Sequence, residues 1–215
     1  MPKAFSEQEK QTIEQRLRKT AAERFAAQGL QKTSVEELAQ VAGISKGAFY
    51  GFFESKEALF MAVAEEAEAQ FRARVLAAVE GPGRSPRARL VAVLTEAYSS
   101  WRQIPVLQFF AHSEYERLLH RVPREIFDEH VEADEVFMRQ LIAHCREQGI
   151  PIQITPKELR ALTYALFFTS FHEEDPLPLV VPGTLELLIE LVAAYCLGEV
   201  ELSSHLKDDN YDDRD

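Results

Sequence analysis

Apolar residues recur every three or four positions along most of the chain, which is the spacing of amphipathic helices rather than strands. In the first such segment Ser6 and Glu9 form a capping-box pattern, and Gly29 predicts the helix end. The apolar positions between them are Ile13, Leu17, Ala21 and Phe25. The opening of the chain therefore predicts one long helix with a single buried side.

The same periodicity continues to the C-terminal region. Thr33 and Glu36 suggest a second capping box, Gly43 ends a short helix, and a long helix is expected to start near Ser55. Further helices are predicted over 87–103, 106–120, 124–148, 156–174 and 184–198, separated by proline- and glycine-containing breaks. No segment alternates with strand period, so the predicted fold is all-α.

Charge divides the chain unevenly. The formal net charge is −11, yet residues 1–60 carry nine basic and eight acidic side chains. A surface that coats nucleic acid everywhere is therefore excluded, whereas a local DNA-reading face is not. We predict three regions, 1–54, 55–198 and 199–215, of which the first two have different partners and the last is an acidic, disordered tail.

No signal-peptide pattern and no apolar run long enough to cross a bilayer is found in the sequence, so we expect a cytoplasmic protein. The two cysteines, Cys145 and Cys196, lie far apart, which suits a reducing compartment and gives no zinc pattern. A helical spacing of i, i+4 and i+8 relates His112, Glu116 and His120, so two neighbours among them could share a metal ion. No third ligand clusters beside such a pair, and the pattern therefore predicts a solvated face rather than a metal site.

Residues 33–53 carry the clearest functional pattern. They predict a helix, a tight turn at Gly43-Ile44-Ser45, and a second helix too short to be stable alone. Ser45 can cap this second helix, with Phe49 and Phe53 facing inward. The residues left near its exposed beginning are Lys46, Gly47, Ala48 and Tyr50. A helix start presents backbone N–H groups that suit contact with phosphates; the alternative is a purely structural helical hairpin.

From Ile13 through Leu59 the chain resembles the TetR (TetR/AcrR-type) family of bacterial transcriptional regulators. The strings that carry the resemblance are Phe25-Ala26-Ala27-Gln28-Gly29-Leu30, Thr33-Ser34-Val35, Leu38-Ala39, Ala42-Gly43-Ile44-Ser45-Lys46-Gly47-Ala48-Phe49-Tyr50 and Phe53-Glu54-Ser55-Lys56-Glu57-Ala58-Leu59. The sequence departs from the family pattern at Ala48, Gly51 and Phe52, where threonine, an aromatic residue and histidine are usual.

The resemblance implies that 1–54 is a three-helix DNA-binding helix-turn-helix domain, the head. It also implies that 55–198 is a larger helical body that dimerises and binds a small ligand. The positions that it assigns to DNA contact, together with the cap of the short helix, are Thr33, Ser34, Ser45, Lys46, Gly47, Ala48, Tyr50 and Lys56. It therefore predicts a repressor that binds a pseudo-palindromic operator as a homodimer and is released by a hydrophobic or aromatic effector. An activator of the same fold and a helical protein-interaction adaptor are the alternatives.

The predicted helix over 124–148 places two polar residues, His130 and Asp134, on or beside an apolar stripe. They either satisfy each other as a structural pair or orient a ligand in a mostly apolar cavity. For the second interpretation the candidate ligand-binding residues are Trp101, Phe110, Phe127, His130, Asp134, Phe137 and Phe168. No cofactor is expected.

The predicted helices 156–174 and 184–198 are apolar over an arc too wide for packing on one side. A two-fold interface between copies of the chain would cover both arcs, and burial inside one chain is the alternative. The sequence contains no nucleophile elbow, metalloprotease motif or phosphate-binding loop, so we do not expect an enzyme.

Overall fold

The computed structural model of the chain describes residues 5–83, 85–106, 121–170 and 183–200. Within these ranges the chain is helical and contains no strand, which confirms the all-α prediction. The helices are α1 (Glu7–Lys32), α2 (Val35–Ala42), α3 (Lys46–Phe49), α4 (Lys56–Val79), α5 (Pro86–Arg102), α6 (Arg124–Glu147), α7 (Pro156–Ser170) and α8 (Thr184–Cys196). Except for residues 106, 199 and 200, the predicted helix 106–120 and tail 199–215 lie outside the described residues, as does the predicted end of helix 156–174.

The capping box at the start of α1 is confirmed. The Ser6 hydroxyl accepts from the backbone N–H of Glu9 at 3.2 Å, and the Glu9 carboxylate accepts from the backbone N–H of Ser6 at 2.8 Å. At the other end Gly29 has φ 79°, a left-handed conformation that a residue with a side chain adopts only at a cost in strain. Gly29 therefore interrupts the helix, and a short turn continues to Lys32.

The second predicted capping box is wrong by one residue. Ser34, not Thr33, is the N-cap of α2, and its hydroxyl accepts from the backbone N–H of Glu37 at 3.2 Å. Thr33 is buried, and its hydroxyl donates to the carbonyl of Gly29 at 2.8 Å. Because the kink at Gly29 leaves that carbonyl without a helical partner, Thr33 satisfies it and the capping role moves to the next residue.

The chain divides into two compact units, one formed by Met1–Val75 with Ala97–Asp134 and the other by Leu76–Glu96 with Glu135–Asp215. The first has a core of large apolar side chains that includes Leu17, Phe25, Leu38, Phe49 and Phe60. The second is built around Val79, Val93, Leu141, Ile150 and Ile189. This division by packing passes through α4 and α6, and the predicted division by function at residue 54 stays a prediction.

In the second unit α7 packs against α8, and the Tyr195 hydroxyl lies 3.2 Å from a carboxylate oxygen of Glu158. One apolar side of the pair is buried, as Leu159, Leu166, Leu185 and Ile189 show. The other side stays exposed in the single chain, with relative exposures of 38% for Tyr164, 50% for Phe168, 59% for Leu187 and 50% for Leu191. These four side chains are thus not buried within the described chain, and the two-fold interface stays a prediction.

Candidate nucleic-acid interface and effector region

The helix-turn-helix is formed by α2, the turn at Gly43 and α3. Gly43 has φ 78° and its N–H donates to the carbonyl of Gln40, while the N–H of Ile44 donates to the carbonyl of Ala39. These two bonds close the end of α2 and turn the chain sharply into α3. Ser45 then caps α3, because its hydroxyl accepts from the N–H of Ala48 at 3.1 Å. The tight turn and the serine cap predicted from the sequence are thus both confirmed.

Burial of one aromatic side chain holds α3 in place. Phe49 is fully buried, and its ring lies 5.4 Å from that of Tyr50 and 6.2 Å from that of Phe53. A helix of four residues has no stability of its own, so this packing fixes its orientation. The residues that face outward are Ser45, Lys46, Gly47 and Tyr50, while Ala48 is half-buried. Six of the predicted DNA-contacting residues therefore lie in α3 or directly beside α2 or α3. They are these five residues and the exposed Ser34, which is the N-cap of α2.

The other two predicted contact residues make bonds within the protein. The Lys56 ammonium donates to the carbonyl oxygens of Leu30 at 2.7 Å and Thr33 at 2.9 Å. Lys56 therefore satisfies carbonyls at the end of α1, and Thr33 is buried beside it. These bonds give both residues a structural role, and their part in DNA contact stays a prediction.

An ion pair on this surface was not foreseen from the sequence. The Lys46 ammonium of α3 donates to the Glu36 carboxylate of α2, and both side chains are more than half exposed. The bond lowers the pKa of Glu36 and raises that of Lys46. A ten-residue separation within a helix-turn-helix is the only sequence signal for such a pair, and it does not show which charges will meet.

The predicted effector residues are divided between the two compact units. Trp101, His130 and Asp134 belong to the first compact unit, whereas Phe137 and Phe168 belong to the second. Trp101 is buried with its ring 5.7 Å from that of Phe71 in an edge-on contact. Phe137 is buried and Phe168 is half exposed, while Phe110 and the side chain of Phe127 lie outside the described residues.

His130 and Asp134 are part of a four-residue polar cluster that the sequence did not reveal. Arg72 of α4 donates to Asp134 at 2.8 Å and to Glu68 at 3.1 Å. His130 Nδ1 lies 3.5 Å from a carboxylate oxygen of Glu68. We call these four residues the polar cluster: Glu68, Arg72, His130 and Asp134. The cluster joins α4 to the first part of α6. Asp134 thus meets an arginine 62 residues earlier.

Burial changes the protonation of this cluster. It raises the pKa of Glu68 to about 8, helped by the nearby carboxylate of Asp134. It also lowers the pKa of His130, which keeps that imidazole uncharged at neutral pH. In the polar cluster, burial thus favours the protonated form of Glu68 and the neutral form of His130.

We expect Glu68→Gln to remove a pH dependence of stability. The pKa of Glu68 is about 8 in the folded chain, against an ordinary value of 4.5. The contribution of this group to stability is therefore complete below pH 4.5 and is lost as the pH rises through 8. Between pH 6 and 9 the free energy of unfolding of the wild type should fall by roughly 2–4 kcal/mol relative to that of Glu68→Gln. Thermal unfolding at both pH values measures this difference. Glu66→Gln, an exposed glutamate of the same helix, should follow the wild type; parallel curves for all three proteins would contradict the expectation.

The first unit also contains a cavity of about 650 Å³, whose described lining does not include the polar cluster. It is lined by α1, by α4 and by the segment after α5, with Arg18, Ala22, Val63, Gln70 and Val106 among the lining residues. Of the predicted effector residues that the structure describes, none is among those that line this cavity. The effector site at Trp101, His130 and Asp134 therefore stays a prediction.

Among the described residues no group of three or more histidine, cysteine, aspartate or glutamate side chains is placed to hold a metal ion. His112, Glu116 and His120 lie outside the described part of the chain. In that same described part, no helix has the length and apolar character that a membrane span requires.

The short helix α2, the tight turn and α3 together form a helix-turn-helix, in which Ser45 caps α3 and the Phe49 ring anchors it. Further helices follow this motif along the chain. Residues 17–63 match the sequence profile of the family described as bacterial regulatory proteins, tetR family. Over these residues the chain is similar to that family.

Similarity to a curated relative is confined to part of the chain. The uncharacterized HTH-type transcriptional regulator YuxN of Bacillus subtilis (strain 168) is 39% identical over 96 residues, which are 45% of this chain and 31% of YuxN. The matched stretch thus spans about a third of that relative's length.

Solved structures share the fold over most of the chain. Thermus thermophilus FadR, a TetR-family repressor in complex with lauroyl-CoA, has a TM-score of 0.59 and 23% identity, covering 88% of this chain and 95% of FadR. The superantigen PfiT has a TM-score of 0.59 and 20% identity, covering 86% of this chain and 96% of PfiT. At these identities the likeness shows the fold alone, and proteins with different descriptions share it.

Proposed function

We propose that the chain is a transcriptional repressor that acts in the cytoplasm, binds a pseudo-palindromic DNA operator as a homodimer and is released by a small hydrophobic or aromatic effector. The observation that carries this proposal is the arrangement of α3. Phe49 anchors the helix in the core, and its capped beginning is left uncovered with Lys46 and Gly47 at the surface. Tyr50 is exposed directly after the helix end. A recognition helix that enters a DNA groove requires this combination of a rigid base and an open end.

The exposed residues offer different contacts to a duplex. The α3 backbone N–H groups, Ser34 and Ser45 suit phosphate oxygens, and Lys46 and Tyr50 reach far enough to contact base edges or backbone. A Cβ added at Gly47 would meet only the Ser45 hydroxyl, at 3.9 Å. Since internal packing does not require a glycine there, Gly47 serves the proposed function by letting the DNA approach the helix closely.

The experiment that tests DNA binding begins from a pool of duplexes with a randomised central segment. We expect the protein to enrich a two-fold symmetric sequence with half-sites about one helical turn apart, roughly 34–36 Å. Binding to the enriched duplex should weaken steeply as salt rises, because contacts to phosphates release counterions. Failure to enrich any sequence would contradict the proposal. A promoter carrying the enriched sequence then distinguishes a repressor from an activator of the same fold.

The uncovered side of α7 and α8 supports the proposed homodimer. Tyr164, Phe168, Leu187 and Leu191 are exposed at i, i+4 spacing on the two adjacent helices. A second copy related by a two-fold axis would bury both pairs in a four-helix interface.

We expect the substitution of Leu187 and Leu191 by glutamate to convert the dimer into a monomer, because four charges would have to be buried per interface. Light scattering during gel filtration should show a halved molar mass, with the helical circular dichroism retained. Val41→Lys, at an equally exposed valine of the head, serves as the control and should stay dimeric. A monomeric wild type at micromolar concentration would contradict the proposed assembly.

For the effector, the polar cluster and the Trp101–Phe71 contact support a site that combines aromatic walls with a few buried polar groups. Trp101 is the one tryptophan of the sequence, so its fluorescence reports on this region alone. Lauroyl-CoA, the ligand named for FadR, is a suitable first probe. We expect a saturable change in Trp101 emission that Asp134→Asn weakens, together with release of the enriched duplex. Equal affinity for both proteins would contradict a role of Asp134 in binding.

A further inference from the structure

The Glu36–Lys46 ion pair occupies the surface that the proposed function directs at DNA. Glu36 lies in the first turn of α2 and Lys46 at the start of α3, so the pair bridges the open ends of the two helices. Both side chains are more than half exposed. Their contact does not build the core, and the two groups are free to reach a ligand together.

A carboxylate on this surface needs an explanation, because a duplex repels it almost everywhere. The phosphate and sugar groups offer acceptors, and a carboxylate has no proton to donate to them. The donors within its reach are the amino groups of bases in the major groove, N4 of cytosine and N6 of adenine. Glu36 thus either weakens binding to every sequence or recognises one of these amino groups.

Lys46 decides between the two bases. An ammonium has only donors, and its preferred partners in the major groove are the adjacent O6 and N7 acceptors of guanine. The edge of a G·C pair displays the cytosine amino group directly beside those guanine acceptors. It therefore offers a donor next to acceptors, which complements the acceptor of Glu36 lying next to the donor of Lys46.

We propose that Glu36 and Lys46 form one base-reading unit, in which Glu36 accepts from the N4 amino group of a cytosine and Lys46 donates to the paired guanine. Glu36 is then a specificity-determining residue of the operator contact, and this inference rests on the proposed function. The neighbouring Glu37 has a different task. Its carboxylate faces α1, where it contacts Arg24 at 3.2 Å and Gln28 at 3.2 Å.

This difference provides a matched control, since Glu36→Gln and Glu37→Gln remove the same charge from the same turn. The duplex enriched by the wild type is altered one base pair at a time, and the dissociation constant of each protein is measured by fluorescence anisotropy. For the wild type we expect one G·C pair in each half-site whose replacement by A·T weakens binding roughly tenfold or more. Glu36→Gln should reduce that ratio to about threefold or less, because glutamine favours adenine. Glu37→Gln should keep the ratio, and all three proteins should unfold cooperatively.

Two results would overturn the inference while leaving the proposed function intact. One is that Glu36→Gln tightens binding to all the duplexes by the same factor, which would show that Glu36 only repels DNA. The other is that no G·C pair of the enriched sequence responds to the substitution. A wild type that enriches no sequence overturns the proposed function itself and the inference with it.

Discussion

Replacement of Arg72 by methionine is expected to lower the free energy of unfolding by about 3 kcal/mol. The Arg72 guanidinium lies 2.8 Å from Asp134, whose side chain is only 17% exposed. The substitution removes this guanidinium from a poorly solvated carboxylate beside Glu68, and breaking a buried ion pair by removing one partner is strongly destabilising. Methionine keeps most of the aliphatic volume, so the loss measures charge rather than packing.

Urea unfolding followed by circular dichroism checks this expectation. Arg74→Met, at an exposed arginine of the same helix, is the matched control and should change stability by less than about 0.5 kcal/mol. The double variant Arg72→Met with Asp134→Asn should recover most of the loss, because the second change removes the charge that Arg72 faces. A double variant that is as unstable as the single one would show that Arg72 acts through packing instead.

The second large effect is expected at Phe49, whose replacement by alanine should lower the free energy of unfolding by about 3–5 kcal/mol. Phe49 is fully buried and is the main apolar anchor of a helix only four residues long. Its loss leaves a cavity and releases α3 from the core, so DNA binding should be lost even at temperatures where the rest of the chain stays folded. Denaturant unfolding and duplex binding are measured together.

Tyr50→Ala is the informative comparison, because Tyr50 adjoins Phe49 but is half exposed. We expect it to cost less than about 1.5 kcal/mol in stability while still weakening DNA binding. If Phe49→Ala were no less stable than Tyr50→Ala, the proposed anchoring of α3 by its buried ring would be wrong.

Local signals in the sequence predicted the elements that depend on local chemistry. Ser6, Gly43 and Ser45 act within four residues of themselves, and each does what its type and spacing predicted. The predicted N-cap of α2 was wrong by one residue, because the Thr33 hydroxyl bonds back to the Gly29 carbonyl across the kink. The sequence pattern does not show how such a kink changes the bonds of neighbouring side chains. Hydrophobic periodicity predicted where the helices lie, whereas tertiary contacts determine which polar side chain caps each helix end.

The candidate site was predictable only where its residues are close in sequence. Phe49 as anchor and Tyr50 as exposed neighbour follow from helical spacing. The partners of His130 and Asp134 lie on α4, about sixty residues earlier, and Lys56 reaches carbonyls more than twenty residues earlier. Such contacts arise from how helices pack, and a single sequence does not reveal them without a known structure of the same fold.

The proposed DNA recognition depends most directly on the exposed residues of α3 and on Tyr50 beside it, and one measurement tests their role. Anisotropy titrations of the enriched duplex compare the wild type with Lys46→Ala combined with Tyr50→Ala, while Lys157→Ala controls for the loss of an exposed lysine elsewhere. We expect the combined variant to bind roughly a hundredfold more weakly, since two contacts of about 1–2 kcal/mol each are lost. Its molar mass in solution should be unchanged. Binding as tight as that of the wild type, by a folded variant, would contradict the assignment of α3 to DNA recognition.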